Sequence, residues 1–412
     1  MKIGFFTDSY LPQLDGLATS VETCARALER RGHQVYIIAP RYPRYKDERK
    51  DIYRLTSIKF IDAPEMRWTL QLPEKPLLKI LGINFDVIHG HSGGGMTLLG
   101  LQIAKAKGIP FVGTYHTLFN RYTHYFFNGK IVTPKMTELA SKFVGNFCDQ
   151  LIAPTERVKK ELVSYGVKRP IQVLPSGIDL ENYQNVEKGF IRKKIAIATQ
   201  TKILLYVGRL GKEKSVDFLI KSFTLIHERN PHAVLVLVGE GPEKQNLKKL
   251  VRQLHLKENV YFFGSVKHKD IAKVYTDADV FTFASRTETQ GLVLLEALAS
   301  GVPVVAVNDE AFDNVILIGK NGYLVKQDTK MFAEKTLDLL NNDQLYGQLS
   351  QGALKSVEKF GIENTVLLLE HLYEKVIKEK GQREKDSTHA KSINSIKEFF
   401  MKANEKLKKY YE

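Results

Sequence analysis

The chain is predicted to be an α/β protein built as two doubly wound, mostly parallel sheets in tandem. Three observations predict it. Short apolar runs of strand length alternate with helix-length amphipathic stretches along most of the sequence. That rhythm breaks at Gly177 and Asp179 and restarts at Lys202. The 412 residues, 43% of them hydrophobic, exceed one ordinary domain and can fill two sizeable cores.

In chain order, residues 2–6 read as a strand, 17–31 as a helix ended by Gly32, and 35–39 as a second strand, the βαβ pattern of a parallel sheet covered by helices. Strands follow at 85–89, 111–115, 151–153 and 171–174, with helices near 96–107, 134–147 and 155–165. Residues 182–200 are polar and charged, with few large apolar groups before Ile195, and read as a linker. The second half supplies strands at 202–207, 233–238, 260–263, 280–283 and 303–307. The expected division is a first domain 1–181, the linker 182–200, a second domain 201–360, a C-terminal helix 361–381 crossing back to the first domain, and a tail 382–412. A cleft between two such sheets is the natural place for a ligand held from both sides.

A net charge of +15 points to a polyanionic partner: a phosphorylated substrate, an anionic membrane or nucleic acid. No nucleic-acid motif accompanies the charge, so no nucleic-acid partner is expected. Cys24 and Cys148 are the only cysteines, which argues against a disulfide framework and for a reducing cytoplasm. The amino terminus reaches Asp8 before a signal-peptide core could form, and no apolar run approaches the roughly 18 residues of a membrane span. A soluble or peripheral protein is expected.

The stretch from Ser285 to Gly301 carries the strongest chemical signal. It follows the apolar run 279–284 and opens into a Leu/Ala helix, which puts Glu288 on the loop at a strand's carboxyl end and Glu296 inside the next helix. The amides of Gly291 and Leu292 fall at the helix start, where unpaired N–H groups favour an anion. A phosphorylated substrate fits there, its hydroxyls free to bond the two carboxylates. After the strand at 202–207, Arg209 and Lys214 are spaced to clamp a diphosphate, one as a planar fork and one as a point charge. In the first half, Gly16 begins a helix where backbone can approach a substrate, and His116 ends a strand, expected to face the cleft from the side opposite Glu288. His89 and His91, at i and i+2 of a strand end, are expected to point to opposite faces, and with no cysteine or carboxylate at ligand spacing a metal is not expected. Asp277-Ala278-Asp279 imitates the Asp-x-Asp of metal-dependent sugar transferases but abuts a strand directly. Gly239-Glu240-Gly241-Pro242 lacks the third glycine of a dinucleotide fingerprint.

Together these residues resemble the retaining glycosyltransferases of family 4, which have two Rossmann-like domains facing a cleft, the GT-B architecture. Glu288 and Glu296 match the family's Glu-x7-Glu. Gly208-Arg209-Leu210 with Glu213-Lys214, Gly239-x-Gly241-Pro242, Phe263-Gly264-x-Val266 and Glu296-Ala297-Leu298-Ala299-Ser300-Gly301-Val302-Pro303 match in the family's order, over residues 1 to about 375. Within the family the first domain is most similar to bacterial diacylglycerol glucosyltransferases, through Tyr10-Leu11-Pro12, Gly16-Leu17-Ala18-Thr19-Ser20, and His116-Thr117 followed by Tyr122, His124 and Tyr125.

The resemblance implies a nucleotide-sugar donor, UDP-glucose, and no tightly bound cofactor or obligatory metal. By it, Arg209 and Lys214 hold the leaving diphosphate, Glu288 bonds the sugar hydroxyls, Glu296 bonds the ribose, and Val266 contacts the base. Gly16 lets the first domain close on the phosphates and His116 sits beside the reacting face of the sugar. A departing diphosphate develops charge that fixed cations and helix amides stabilise without a metal. Retention follows if the acceptor attacks on the face the diphosphate leaves.

The acceptor is read from the remaining charges and aromatics. The segments 41–46, 66–70 and 75–81, which include Arg67 and Trp68, put cations beside amphipathic aromatics and aliphatics, a mixture suited to an anionic lipid surface. In the tail, Ile393, Ile396, Phe399, Phe400, Leu407 and Tyr410 recur at helical spacing among lysines, as in a membrane-surface or docking helix. The expected acceptor site comprises Tyr10, Tyr122, His124, Arg67 and Trp68. The expected activity is transfer of glucose to the hydroxyl of diacylglycerol, at the cytoplasmic face of the cell membrane. The sequence leaves two alternatives open: a family-4 transferase with another acceptor, such as a phosphatidylinositol-type lipid, a sugar or a small alcohol, and a GT-B UDP-sugar epimerase.

Overall fold

A computed structural model of the chain describes residues 1–13, 15–47, 49–59, 67–118, 120 and 133–386, the last four of these by backbone alone. Tyr122, His124, Tyr125, Met66 and the tail beyond Asp386 lie outside the described residues. The chain forms two compact units, one of Met1–Gly177 with the chain from Glu363 onward, the other of Ile178–Ile362.

In the first unit, strands β1 (Lys2–Thr7), β2 (Gln34–Pro40) and β3 (Ile52–Leu55) lie to one side, and β6 (Val87–His91), β7 (Phe111–Thr114), β8 (Gln150–Ala153) and β9 (Ile171–Val173) to the other, in the order β3-β2-β1-β6-β7-β8-β9. All pairs in this sheet are parallel. The central strands are apolar and buried along nearly their whole length, as a sheet covered on both faces requires. The short strands β4 (Ser57–Lys59) and β5 (Arg67–Thr69) form a separate antiparallel pair. Helices α1 (Gly16–Arg30), α2 (Lys75–Leu81), α3 (Gly95–Lys107), α4 (Pro134–Phe147) and α5 (Glu156–Ser164) join the strands. Asp15 caps α1 by accepting from the Ala18 amide at 2.8 Å.

The second unit has one parallel sheet in the order β12-β11-β10-β13-β14-β15. Its strands are β10 (Lys202–Val207), β11 (Ala233–Val238), β12 (Val260–Gly264), β13 (Val280–Phe283), β14 (Val304–Val307) and β15 (Gly322–Val325). Helices α6 (Phe190–Ile195), α7 (Val216–Arg229), α8 (Lys244–Gln253), α9 (Ile271–Thr276), α10 (Leu292–Ala299), α11 (Thr329–Asn341) and α12 (Asp343–Val357) complete it. The last helix, α13 (Ile362–Asp386), packs within the first unit: Glu370 receives Arg31 and His33 at 2.7 Å each, and Lys380 reaches Asp149 at 3.4 Å.

Residues 182–200, expected as a linker, are part of the second unit. Ile191 of α6 is fully buried in that unit's core. The Asp277 carboxylate accepts from the backbone N–H groups of Gly189 and Ile191, the latter at 2.6 Å, and so caps α6. Ile191 with half-buried Phe190 and Ile195, spread over six residues, is too short a set for a periodic signal, and the cap comes from a residue 86 positions away. Asp279 is also structural: it accepts from the Ile203 amide at 2.7 Å and faces Lys202 and Arg192 at 3.5 and 3.6 Å. The Asp-x-Asp pair therefore has both carboxylates engaged in holding the unit together. Cys24 and Cys148 are both buried free thiols. Among the described residues no helix is long and apolar enough to cross a membrane.

Candidate active site

In the second unit the chain runs outward from β10 through β11 to β12 in one direction, and from β13 through β14 to β15 in the other. The crevice outside the carboxyl ends of β10 and β13 is thus the topological switch point, where open α/β sheets bind ligands. Two loops border it. After β10, Gly208, Arg209 and Leu210 lead into a 3-10 turn at Lys212–Lys214. After β13, Ser285 to Gln290 lead to Gly291, whose φ of 78° at the cap position of α10 suits glycine. Lys214 Nζ donates to Glu288 Oε1 at 2.5 Å across the crevice, both side chains about one-sixth exposed. Arg209 is half-buried in the same loop, its carbonyl held by the Tyr206 hydroxyl at 2.8 Å.

Glu296, one turn into α10, is buried, and the Tyr275 hydroxyl donates to its Oε2 at 2.6 Å. Tyr183 gives a second hydroxyl hydrogen bond. Burial pushes the Glu296 carboxyl up to about 7, and the two tyrosines pull the other way. Neither tyrosine carries a signal in the sequence. They lie 21 and 113 positions before Glu296, and nothing local marks them. Val266 follows the edge strand β12 and is half-buried against the core.

The Gly239-x-Gly241 motif has a packing cause. Gly239 sits at φ +137°, and a Cβ there would lie 1.9 Å from the Gly208 carbonyl oxygen; one on Gly241 would lie 2.4 Å from that of Leu210. The Leu210 amide donates to the Glu240 carbonyl, and Glu243 N–H returns to the Leu210 carbonyl, both at 2.9 Å. The glycines let one loop lie flush on the other, which fixes the backbone that carries Arg209.

The first unit has its own switch point, between β1 and β6. There the amino end of α3 is already occupied: half-buried Asp8, its carboxyl pushed up by desolvation, accepts from Met96 N–H and Ser92 Oγ at 2.9 Å each. Beside it stand three histidines. His89 and His91 stack at 4.0 Å and 27°, and His91 stacks on His116 at 5.4 Å with Nδ1 3.2 Å from His116 Nε2. The expectation that His89 and His91 point apart is overturned: residues two apart in a strand share a face. His89 completes its bonding with Tyr373 Oη and Thr114 Oγ1 at 2.6 and 2.7 Å, while Nε2 of buried His91 has no hydrogen-bond partner among the described residues.

Burial pushes His89 down to about 3 and His116 to about 4, and His91 well below the usual imidazole range. The folded values lie below the ordinary unfolded value near ~6.5. Each neutral ring therefore contributes stability that is fully present above that pH and is lost as pH falls towards the folded value. The first unit should lose up to roughly 1.4 kcal/mol per pH unit per histidine between pH 6.5 and 4. Urea unfolding at pH 7.5, 6 and 5 measures this, with His89→Phe expected to flatten the dependence; a flat curve for the parent chain would refute the buried-neutral assignment.

The remaining expected residues separate. Gly16 is exposed at the first turn of α1. Tyr10, expected at an acceptor surface, is fully buried, its hydroxyl donating to Glu22 and Arg54 lying 5.3 Å over its ring. An aromatic ring on the loop after β1 fills the core there instead of facing a ligand. Arg67 folds back on Ser57 at 2.7 and 2.8 Å and over the Tyr42 ring at 5.2 Å. Trp68 is 51% exposed opposite Ile58, itself 53% exposed.

The Glycosyl transferases group 1 model matches residues 187–356, and the Glycosyltransferase Family 4 model residues 14–182. An alpha-monoglucosyldiacylglycerol synthase of Streptococcus pneumoniae is 34% identical over 324 residues, 77% of this chain and 73% of that protein. The chain belongs to glycosyltransferase family 4. A second alpha-monoglucosyldiacylglycerol synthase, from Acholeplasma laidlawii, is 29% identical over 399 residues, 90% of this glycosyltransferase and 96% of its relative. HepE from Anabaena in complex with UDP-glucose superposes with a TM-score of 0.72 at 17% identity, covering 91% of the family-4 chain and all of its own. Sucrose-phosphate synthase from Thermosynechococcus elongatus gives 0.71 at 21% identity, covering 91% and 98%. The fold of this glycosyltransferase is accordingly GT-B.

Proposed function

We propose that this glycosyltransferase retains anomeric configuration and moves glucose from UDP-glucose to the hydroxyl of diacylglycerol at the cytoplasmic membrane surface. The observation that carries the donor half is the Lys214–Glu288 pair at the switch point of β10 and β13. A diphosphate entering that crevice replaces Glu288 as the partner of Lys214, which releases the carboxylate to accept from the sugar hydroxyls. Arg209 grips the same diphosphate as a fork, and the amides of Gly291 and Leu292 face its developing charge. Glu296 accepts from the ribose, with Tyr275 and Tyr183 holding the carboxyl in place, and Val266 lies against the base. Gly16 and His116 are assigned roles toward the donor phosphates and the sugar by the family's motifs alone.

The bond between anomeric carbon and diphosphate oxygen breaks as the acceptor oxygen attacks on the same face, and the acceptor proton passes to the departing diphosphate. No metal is required, because cations and amides of the chain already supply the charge. The acceptor half is supported by the two named diacylglycerol glucosyltransferase relatives, by the net charge of +15 and by Trp68 and Ile58 on their exposed strand pair.

The test is transfer of labelled sugar from UDP-glucose, with UDP-galactose, UDP-N-acetylglucosamine and GDP-mannose in parallel, into the organic phase of vesicles containing diacylglycerol and anionic lipid. Label should enter the lipid from UDP-glucose and depend on Glu288. Label that remains in water despite donor binding would reject the lipid acceptor and leave the donor assignment standing.

A further inference from the structure

Helix α4 carries its large apolar side chains on the wrong side for a helix in water. Its buried positions are Ser141, Val144 and Gly145. The space beneath them is tight at the glycine, where a Cβ would meet Val167 Cγ2 at 3.0 Å and Leu151 Cδ1 at 3.1 Å. Its exposed positions are Met136, Leu139, Phe143 and Phe147, at 53%, 54%, 58% and 44% exposure. Spaced i, i+3, i+7 and i+11, they form one line along the helix, about 16 Å long at the ordinary rise per residue. The Phe143 and Phe147 rings touch, with centroids 4.7 Å apart. Contiguous exposed patches of this kind mark interaction sites, whereas isolated exposed apolar residues need no explanation.

We infer that this stripe is a bilayer-docking surface, seated in the headgroup–acyl boundary of an anionic membrane. The inference rests on the membrane reading above and assigns it to an element that the sequence marked only as a helix. Charge complementarity selects the occupant. Lys142 and Lys135, the latter 77% exposed and 3.5 Å from Glu138, stand beside the stripe, and their aliphatic stems can lie along the apolar boundary with the ammonium groups at anionic headgroups. A chain of net charge +15 is drawn to such a surface before any apolar contact forms. The proportions fit as well: a 14-residue helix with Phe, Leu and Met on one face and lysines at its margins lies in the interface plane and is far too short to span it.

The experiment is co-sedimentation of the full-length chain with vesicles of phosphatidylcholine alone or with 30% phosphatidylglycerol, at low and high salt. Three variants are compared with the parent: Leu139→Ser with Phe143→Ser, Lys135→Ala with Lys142→Ala, and a chain ending at Gln382. The serine pair should lower partition onto anionic vesicles by roughly tenfold or more, since each buried side chain of this size contributes more than the equivalent of a tenfold change. The alanine pair should weaken binding chiefly at low salt. UDP binding and the melting temperature should stay at parent values in both, which separates lost docking from lost folding. Parent-like partition of the serine pair refutes the inference. So does loss of binding only on truncation, which makes the tail the anchor, or a parent dimer that the serine pair dissolves, which makes the stripe a self-association face. A parent chain that binds no vesicle yet transfers sugar to a water-soluble acceptor overturns the membrane reading itself.

Discussion

Lys214→Ala and Arg209→Ala are each expected to lower kcat for sugar transfer on the order of 10²-fold or more, the cost of removing a preorganised charge aimed at a developing one. The loss should fall on kcat more than on donor KM, because the diphosphate gains charge as its bond to the sugar breaks, and ground-state binding is shared with the base and ribose contacts. Lys214 has a complication that a double variant resolves. Its Nζ lies 2.5 Å from Glu288 Oε1, with both side chains largely buried, so the single alanine variant also strands a carboxylate. The cycle through Lys214→Ala, Glu288→Gln and their combination isolates that coupling. If both residues serve the transition state, the double variant should be no better than either single one. Recovery of activity in the double variant would mean that the pair is a structural ion pair and that the diphosphate is held elsewhere. Near-parent turnover of Arg209→Ala would remove Arg209 from the clamp.

The α/β class and the two-sheet organisation were legible because central parallel strands are buried on both faces and read as unbroken apolar runs. Leu204, Leu205, Leu235, Val236 and Leu237 are all essentially inaccessible. The edge strands β3 and β15 are only half-buried, so their composition blends with the neighbouring loops. Helix α6 was illegible for a different reason: it is only six residues long, its core contacts are Ile191 with half-buried Phe190 and Ile195, and its cap comes from Asp277, so neither a short apolar set nor a distant carboxylate forms a pattern. At the site, position relative to a strand's carboxyl end could be read for Arg209, Lys214 and Glu288. Contacts could not. The closure of Lys214 on Glu288 spans 74 residues, and the tyrosines on Glu296 and the stacked histidines likewise depend on register between strands and helices. The fate of Tyr10 shows the limit on the other side: an aromatic next to a binding loop looks like a ligand contact until the core beside it is seen to need filling.

Gly239→Ala should destabilise the second unit by about 3 kcal/mol or more and, in whatever fraction folds, weaken UDP binding. Two costs add. The φ of +137° is strained for any residue with a Cβ, and the new methyl would lie 1.9 Å from the Gly208 carbonyl oxygen, a distance no rotamer change can relieve because both partners are backbone. The chain can relax only by moving the 208–210 loop off the Gly239–Gly241 loop, which breaks the Leu210-to-Glu240 hydrogen bond and displaces the backbone that carries Arg209. Stability and donor affinity are therefore coupled at this position. Gly352→Ala supplies the comparison: a Cβ there would lie 1.8 Å from the Lys320 carbonyl oxygen, on α12 against the turn before β15, away from both loops of the crevice. It should cost similar stability and leave the UDP affinity of the folded protein unchanged. Urea unfolding with and without UDP reads both quantities. Equal loss of affinity in the two variants would mean that binding merely tracks global stability, whereas loss confined to Gly239→Ala would place the diphosphate against the loop those glycines support.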